Sequence, residues 1–362
     1  MGQIWPKYYN KTRFCTKVIH SSLYYSQVIS FEDDMTYKKP WLSVEDQLKL
    51  LRQRGLQIDD HAVAKACLER IGYYRLSGYM YAFRQRSGEC CPLPKRQDPR
   101  KTDRIAVDNF KQGSRLQDCV DLYVFDKKLR AIVLDALERV EVAVRVDIAH
   151  LLGERDTFAY LSVSEFHTSF CKLRKKNTKT EHAIWLEKQD VLIDRSKEEF
   201  ITHNKKIGLP LAIWIACEVW DFGTMVTIFG HMKPKDQDQI SRRYGVTNGR
   251  IFASWLETFN YLRNICAHHS RLWNRNIEKL PQLPAANDTP WVASFVDKNQ
   301  NTSTRCFLEL MMLAHVLKKI NPNSSWPTRL RDHLHSFPTL TKVGLNVAGM
   351  GAPADWAKML EQ

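Results

Sequence analysis

Along most of the chain apolar positions recur every three to four residues, the spacing of helices that bury one face. The longest such run spans Leu116 to Leu152 and is marked by Val120, Val124, Val133, Leu137, Val140, Val144 and Ile148. Ser114 and Gln117 stand in capping-box positions before it, and Gly153 follows it. This predicts a long central helix, kinked or broken into two. KKPWLSVEDQLKLLRQRG predicts a shorter helix with Ser43 as N-cap, Asp46 in the first turn and Gly55 just past the end. DDHAVAKACLERIGYYRLSGYMYAFRQR predicts another, and SKEEFITHNKKIG and RCFLELMMLAHVLKKI two more. The most apolar stretch, residues 210–232, predicts a buried helix followed by a turn at Gly223. Residues 87–112, rich in Pro, Lys and Arg, predict a loop. No stretch alternates as strands do, so the fold class is all-α.

One segment breaks the ordinary division of labour on a helix. In Phe259–Asn276, FNYLRNICAHHSRLWNRN, a helix at about 100° per residue places Trp255, Phe259, Leu262 and Cys266 on one apolar stripe. Asn260, Asn264, His268, Arg271 and Arg275 then fall on the other side. Core helices normally turn Lys and Glu to water. An Arg-Asn-His cluster is instead suited to hydrogen-bonding an anion.

The net charge of +14 changes the picture in the same direction, since such an excess attracts polyanions, nucleic acid foremost. Five aromatics between Tyr73 and Phe83 are interleaved with Arg75 and Arg84. Such a set, with Tyr74 and Arg75 at its head, suits stacking of unpaired bases or, alternatively, a core edge with wet hydroxyls. The nine cysteines show no CxxC and no zinc-finger spacing, so neither a metal site nor any other cofactor is expected. Reduced thiols and the lack of an apolar run of membrane length point to a cytoplasmic protein with no membrane partner. Residues 1–37 are aromatic, basic and patternless and form an N-terminal extension, with Met35 as an alternative start.

Arg263, Asn264 and His268 together suit phosphodiester cleavage without a metal. A histidine titrates near neutral pH and can take a proton from a ribose 2′-hydroxyl or return one to the leaving oxygen. An arginine forks onto phosphate and offsets transition-state charge, and an asparagine orients either partner. A purely structural polar network accounts for the same residues if no substrate binds. Metal ligation by His268 and His269 is disfavoured because sequence neighbours point apart.

Arg263 followed directly by Asn264, with His268 five residues on, resembles the RNxxxH signature of HEPN-domain ribonucleases. RIGYYRLSGYMYAFR, DLYVFDKKLRAIVLDALERVEVAVR, LPLAIWIACEVWDFGTM, LRNICAHHSRLWNR and MGAPADW resemble the bacterial abortive-infection AbiD/AbiF-like family, from about Lys38 to Trp356. The resemblance implies an HEPN-type helical core with flanking helices and a metal-independent endoribonuclease of phage defence. It also implies RNA as substrate, a bound small noncoding RNA as partner, and a homodimer whose two RNxxxH helices face each other. Arg263, Asn264 and His268 are then catalytic, and His269, Arg271, Arg275, Tyr74 and Arg75 support them or contact RNA. Arg145 and His150 repeat the Arg-x4-His spacing and are candidates for a second half-site within one chain, though without the Asn. The rival readings are a non-catalytic RNA-binding protein and a structural HEPN dimerisation module. The expected organisation is residues 1–37 as extension, 38–280 as Abi/HEPN-like core and 281–362 as a helix and tail packed on it.

Overall fold

The computed structural model describes residues 40–92, 102–173, 178–296 and 301–361; the expected extension over residues 1–37, with its alternative start at Met35, lies outside them. Chain order begins with α1 (Val44–Gln53), α2 (His61–Ile71), α3 (Tyr73–Met80) and the strands β1 (Arg84–Pro92) and β2 (Thr102–Phe110). Then come α4 (Leu116–Gly153), α5 (Glu181–Arg195), α6 (Glu199–Ile207), α7 (Ile213–Ala216) and α8 (Phe222–His231). The order closes with α9 (Pro234–Arg243), α10 (Gly249–Ala267), α11 (Phe307–Ile320), α12 (Trp326–His335) and the short α13 (Trp356–Met359). Among the described residues one two-stranded sheet accompanies these helices, so the fold is all-α. None of the described helices is long and apolar enough to cross a membrane.

The predicted central helix exists, and it is continuous rather than broken. α4 runs 38 residues, about 57 Å at the standard helical rise. Leu122, Leu129, Val133, Leu137, Val140, Val144 and Ile148 keep a helical spacing without interruption, and each is buried. The predicted capping box is not formed. The N-cap is Arg115, with no side-chain cap, because neighbouring backbone claims the segment: Gln57 donates to Ser114 O at 2.9 Å and Leu116 donates to Gln57 O at 2.9 Å. Ser114 itself is buried.

The other helices are laid along this axis. α12 docks along the first half of this axis, with His333 Nε2 2.9 Å from Phe125 O, Trp326 Nε1 donating to Ile132 O at 2.8 Å, and an Arg329–Asp135 ion pair at the midpoint. Toward its C-terminal end Arg243 of α9 and Tyr244 both reach Asp147. α10 crosses between these regions, since Tyr244 stacks on its Phe252 while residues just past its end meet Asp126. It therefore runs antiparallel to α4.

Three local expectations are corrected. The helix predicted from Asp59 to Arg86 is two helices, because Gly72 adopts φ +89°, a conformation that favours glycine, and hands α2 to α3. The loop predicted for 87–112 contains an antiparallel hairpin with irregular register, anchored where Arg54 and Arg84 both donate to Asp108. The apolar stretch 210–232 turns at Trp220–Asp221 rather than at Gly223. Asp221 caps α8 by accepting from Thr224 N at 2.7 Å, which places Gly223 inside the helix. After α11 the expected tail includes a further helix, α12.

α11 is buried on nearly every side and carries one ionisable anomaly. Glu309 is fully buried, and neither carboxylate oxygen has a hydrogen-bond partner among the described residues. Burial pushes its carboxyl up to about 8 from an ordinary value near 4.5. The proton is therefore held in the fold and lost in the unfolded chain. Stability from this group is whole below about pH 4.5 and is lost as pH rises toward 8. Glu309→Gln, similar in size and always neutral, should melt higher than the parent by a margin that widens from pH 4.5 to pH 8. Melting curves whose separation stays constant with pH would refute a neutral buried Glu309.

Candidate functional site

α10 starts where Asn248 caps it, accepting from Arg250 N and Ile251 N. Gly249 is required there: a Cβ would sit 2.4 Å from Gln237 Cβ and 2.6 Å from the Gln237 carbonyl carbon. The apolar stripe predicted for the helix is the buried one, with Trp255, Phe259 and Leu262 inaccessible and Cys266 nearly so. Trp255 further fixes the helix by donating to Gln282 O at 2.8 Å.

The helix ends earlier than the sequence pattern implies. Ala267 is its last residue and His268 its C-cap. His269 then takes φ +56°, the left-handed region. His269 N donates to Cys266 O at 3.1 Å and Ser270 N to Ile265 O at 2.9 Å. These two bonds make a Schellman termination with histidine in the place usually held by glycine. Arg271 and Arg275 therefore lie beyond the helix and are not on the face that carries Asn264.

A buried carboxylate fixes the course of the chain after this turn. Asp126 of α4 is inaccessible and accepts the backbone N–H of Trp273 at 2.8 Å and that of Leu272 at 3.1 Å. The same carboxylate accepts the Tyr79 hydroxyl of α3 at 2.6 Å and pairs with Arg130 one turn on. Arg130 also donates to the Tyr79 oxygen at 3.1 Å, closing the network. Two further arginines cross between α3 and the turn in opposite senses. Arg75 donates to His269 O at 2.8 Å, and Arg271 donates to Gly78 O. Helix α3, α4 and the end of α10 are thereby locked together.

The predicted residues divide accordingly. Asn264, His268 and His269 are exposed and Arg263 is partly so, with Arg263 Nη1 donating to Asn264 Oδ1 at 3.4 Å. Arg75 is brought to this end by its bond to His269, and Tyr74 beside it is 75% exposed, its ring edge-on to Tyr73. Arg271 is turned inward as a brace; burial holds its pKa below the usual arginine range. Arg275 leans on Tyr261, donating from Nε to the hydroxyl at 3.2 Å.

Arg145 and His150 are elsewhere. Arg145 pairs with Glu141 and reaches Glu218 O at 3.5 Å. His150 lines a cavity of about 560 Å³ with Trp214 and Arg243. It lies 24 residues along α4 from Asp126, roughly 36 Å at the helical rise, so one chain does not bring the two motifs together. Tyr79, Asp126 and Arg130 were not anticipated. Their signal is an Asp and an Arg four residues apart in line with the apolar positions Leu122, Val133 and Leu137, a spacing that pairs them on the buried face of a helix.

Residues 66–274, more than half of the chain, match the family model described as Abi-like protein. The chain belongs to the Abi-like protein family. No curated protein and no solved structure matches it. The matched segment runs from α2 through the Asp126-held turn and so includes the whole α3–α4–α10 lock. Membership supports a role in abortive infection, the phage-defence response.

Substitutions at two positions test how this end of the Abi-like chain is held. Asp126→Ala leaves Arg130 buried without its partner and strands two backbone N–H groups. It should cost about 3–5 kcal/mol in urea unfolding and speed hydrogen exchange at Leu272 and Trp273; a loss within 1 kcal/mol, or unchanged exchange there, would contradict the lock. At the left-handed position His269→Gly should melt at or above the parent, whereas His269→Val should lose about 1–2 kcal/mol, because a β-branched residue resists that conformation. Equal stability of the two variants would mean the turn relaxes in solution.

Proposed function

We propose that this Abi-like protein is a metal-independent, HEPN-type endoribonuclease whose catalytic residues are Arg263, Asn264 and His268. The supporting observation is the presentation of all three at the solvent-facing end of α10, on a helix whose opposite stripe is wholly buried and whose exit is anchored by Asp126. Anchoring of that kind keeps catalytic groups in place when substrate arrives. His268 takes the 2′-hydroxyl proton of the substrate ribose. The 2′-oxygen then attacks the adjacent phosphorus, Arg263 offsets the added negative charge, and the phosphorus–oxygen bond to the 5′-oxygen breaks as that oxygen takes the proton back from His268. The products are a 2′,3′-cyclic phosphate and a 5′-hydroxyl. Tyr74 offers an exposed ring for a base to stack on, and the +14 charge favours a polyanion.

One RNxxxH helix is half of an HEPN site. Since Arg145 and His150 lie roughly 29 Å and 36 Å from Asp126 along α4, the other half on this reading is the α10 end of a second copy. Purified protein incubated with mixed RNA in EDTA should therefore release fragments with cyclic-phosphate ends, and His268→Ala should slow cleavage by about 10²–10⁴-fold. Cleavage abolished by EDTA would sink the metal-free chemistry. RNA retained on a filter yet left intact by the parent protein would establish a binding protein instead.

A further inference from the structure

A second constellation lies away from Arg263 and His268. Ser169 sits in a 3₁₀ turn (Thr168–Cys171) between α4 and α5, and its Oγ lies 3.0 Å from Nδ1 of His231, the last residue of α8. The other ring nitrogen, Nε2 of His231, is 3.0 Å from Glu181 Oε2 at the start of α5. Backbone pairing brings these segments together: His167 N donates to His231 O at 2.8 Å, and Phe166 bridges Met232. The His231 ring is clamped flat against the buried Phe170, with centroids 4.2 Å apart and planes 8° from parallel. Ser169 opens onto a cavity of about 340 Å³ whose wall also carries His167, Arg250, Ser254, Glu257 and Gln282.

We propose that Ser169, His231 and Glu181 form a hydrolytic site that cleaves small carboxylic esters through an acyl-serine. The hydrogen bonds fix the roles. A carboxylate only accepts, so Nε2 of His231 carries the proton facing Glu181 and Nδ1 is left as the acceptor facing Ser169. Burial outweighs the pull of Glu181 and holds His231 below the ordinary histidine range, so the imidazole is neutral at pH 7 and able to take a proton. His167 adds a positioning contact: its Nδ1 accepts Ser169 N–H at 3.2 Å and lies 2.9 Å from Oγ. Nucleophile, base and orienting carboxylate thus stand in the order that activates a serine, here with Nδ1 rather than Nε2 toward the hydroxyl.

In the reaction Ser169 Oγ bonds to the ester carbonyl carbon as its proton passes to His231 Nδ1. The carbon–oxygen bond to the alcohol breaks, and the alcohol leaves with the proton from His231. Water then adds to the acyl-serine, giving a proton to His231; the acid departs and Ser169 recovers that proton. The cavity is near the lower end of ligand-site volumes, which limits the substrate to a small molecule. Arg250 on the wall favours one that carries an anionic group.

The test uses the full chain with p-nitrophenyl acetate, the p-nitrophenyl half-ester of succinate, and a fluorophosphonate probe. The probe should modify Ser169, located by peptide mass, and the half-ester should be hydrolysed faster than the acetate. Ser169→Ala should abolish both labelling and turnover, and His231→Gln should lower turnover by about 10²-fold or more. Glu181→Gln, in protein shown by its melting curve to be fully folded at the assay temperature, should reduce kcat while leaving KM unchanged. Should Ser169→Ala fail to fold, labelling of the unmodified protein decides. A probe that modifies a control esterase but leaves Ser169 untouched overturns the proposal, as does turnover that persists in a folded Ser169→Ala.

Discussion

A carboxylate buried beside α4 holds together three parts of the chain far apart in sequence. Asp126 takes hydrogen bonds from the Tyr79 hydroxyl, from Arg130 and from two consecutive backbone amides beyond α10. Removing such a group from water is expensive, and only near-complete pairing offsets the cost. The pairing here is specific. The two amides are presented side by side only if the chain turns sharply after His268, and the Tyr79 hydroxyl arrives only if α3 packs in one register. The same carboxylate therefore imposes the end of α10, the placement of α3 and the exposure of the residues between them. A hydrophobic contact in its place would tolerate sliding, because apolar burial is not directional.

Much of this fold was legible in the sequence because burial follows helical period. The stripe Trp255, Phe259, Leu262 and Cys266 was correct for that reason, as were the long α4 and the Ser43 cap. Helix ends were less legible where tertiary contacts overrule local signals. Ser114 has the chemistry of a cap, yet the backbone around it is taken up by pairing with Gln57. His269 gives no local sign of a left-handed turn; Arg75 on its carbonyl and Asp126 on the amides beyond impose it. The hairpin was hidden in a basic, proline-bearing stretch where strand alternation is short. Asp221 was a readable cap that the apolar run around it obscured.

For the candidate site, the sequence named candidates but misjudged their geometry. Extending the helix through Asn276 put Arg271 and Arg275 on the same face as Asn264. The early termination instead sends Arg271 inward to brace α3 and Arg275 against Tyr261. What remains at the surface is a smaller group, and its compactness matters. Fewer cations at one end leave room for a phosphate to be approached from outside, as the composite site proposed above requires. The inward arginines also explain why α3 belongs to the site: Tyr74 and Arg75 are carried to it by the lock rather than by adjacency in sequence.

The length of α4 determines how many independent sites the molecule can carry. At one end it supplies Asp126 and thereby the Arg263–His268 face; toward the other it supports α7 and α9, around the cavity that His150 lines. Two charged groups separated by roughly 36 Å of helix lie several Debye lengths apart at physiological salt. Charge at one end thus has little electrostatic influence on the other. Any coupling between them must pass mechanically along α4 or through α10, whose 19 residues rise about 29 Å in the opposite direction. α10 is capped at both ends, by Asn248 and by the His269 turn, and meets Tyr244 near its start and the Asp126 network just past its end, so it is in contact with both regions.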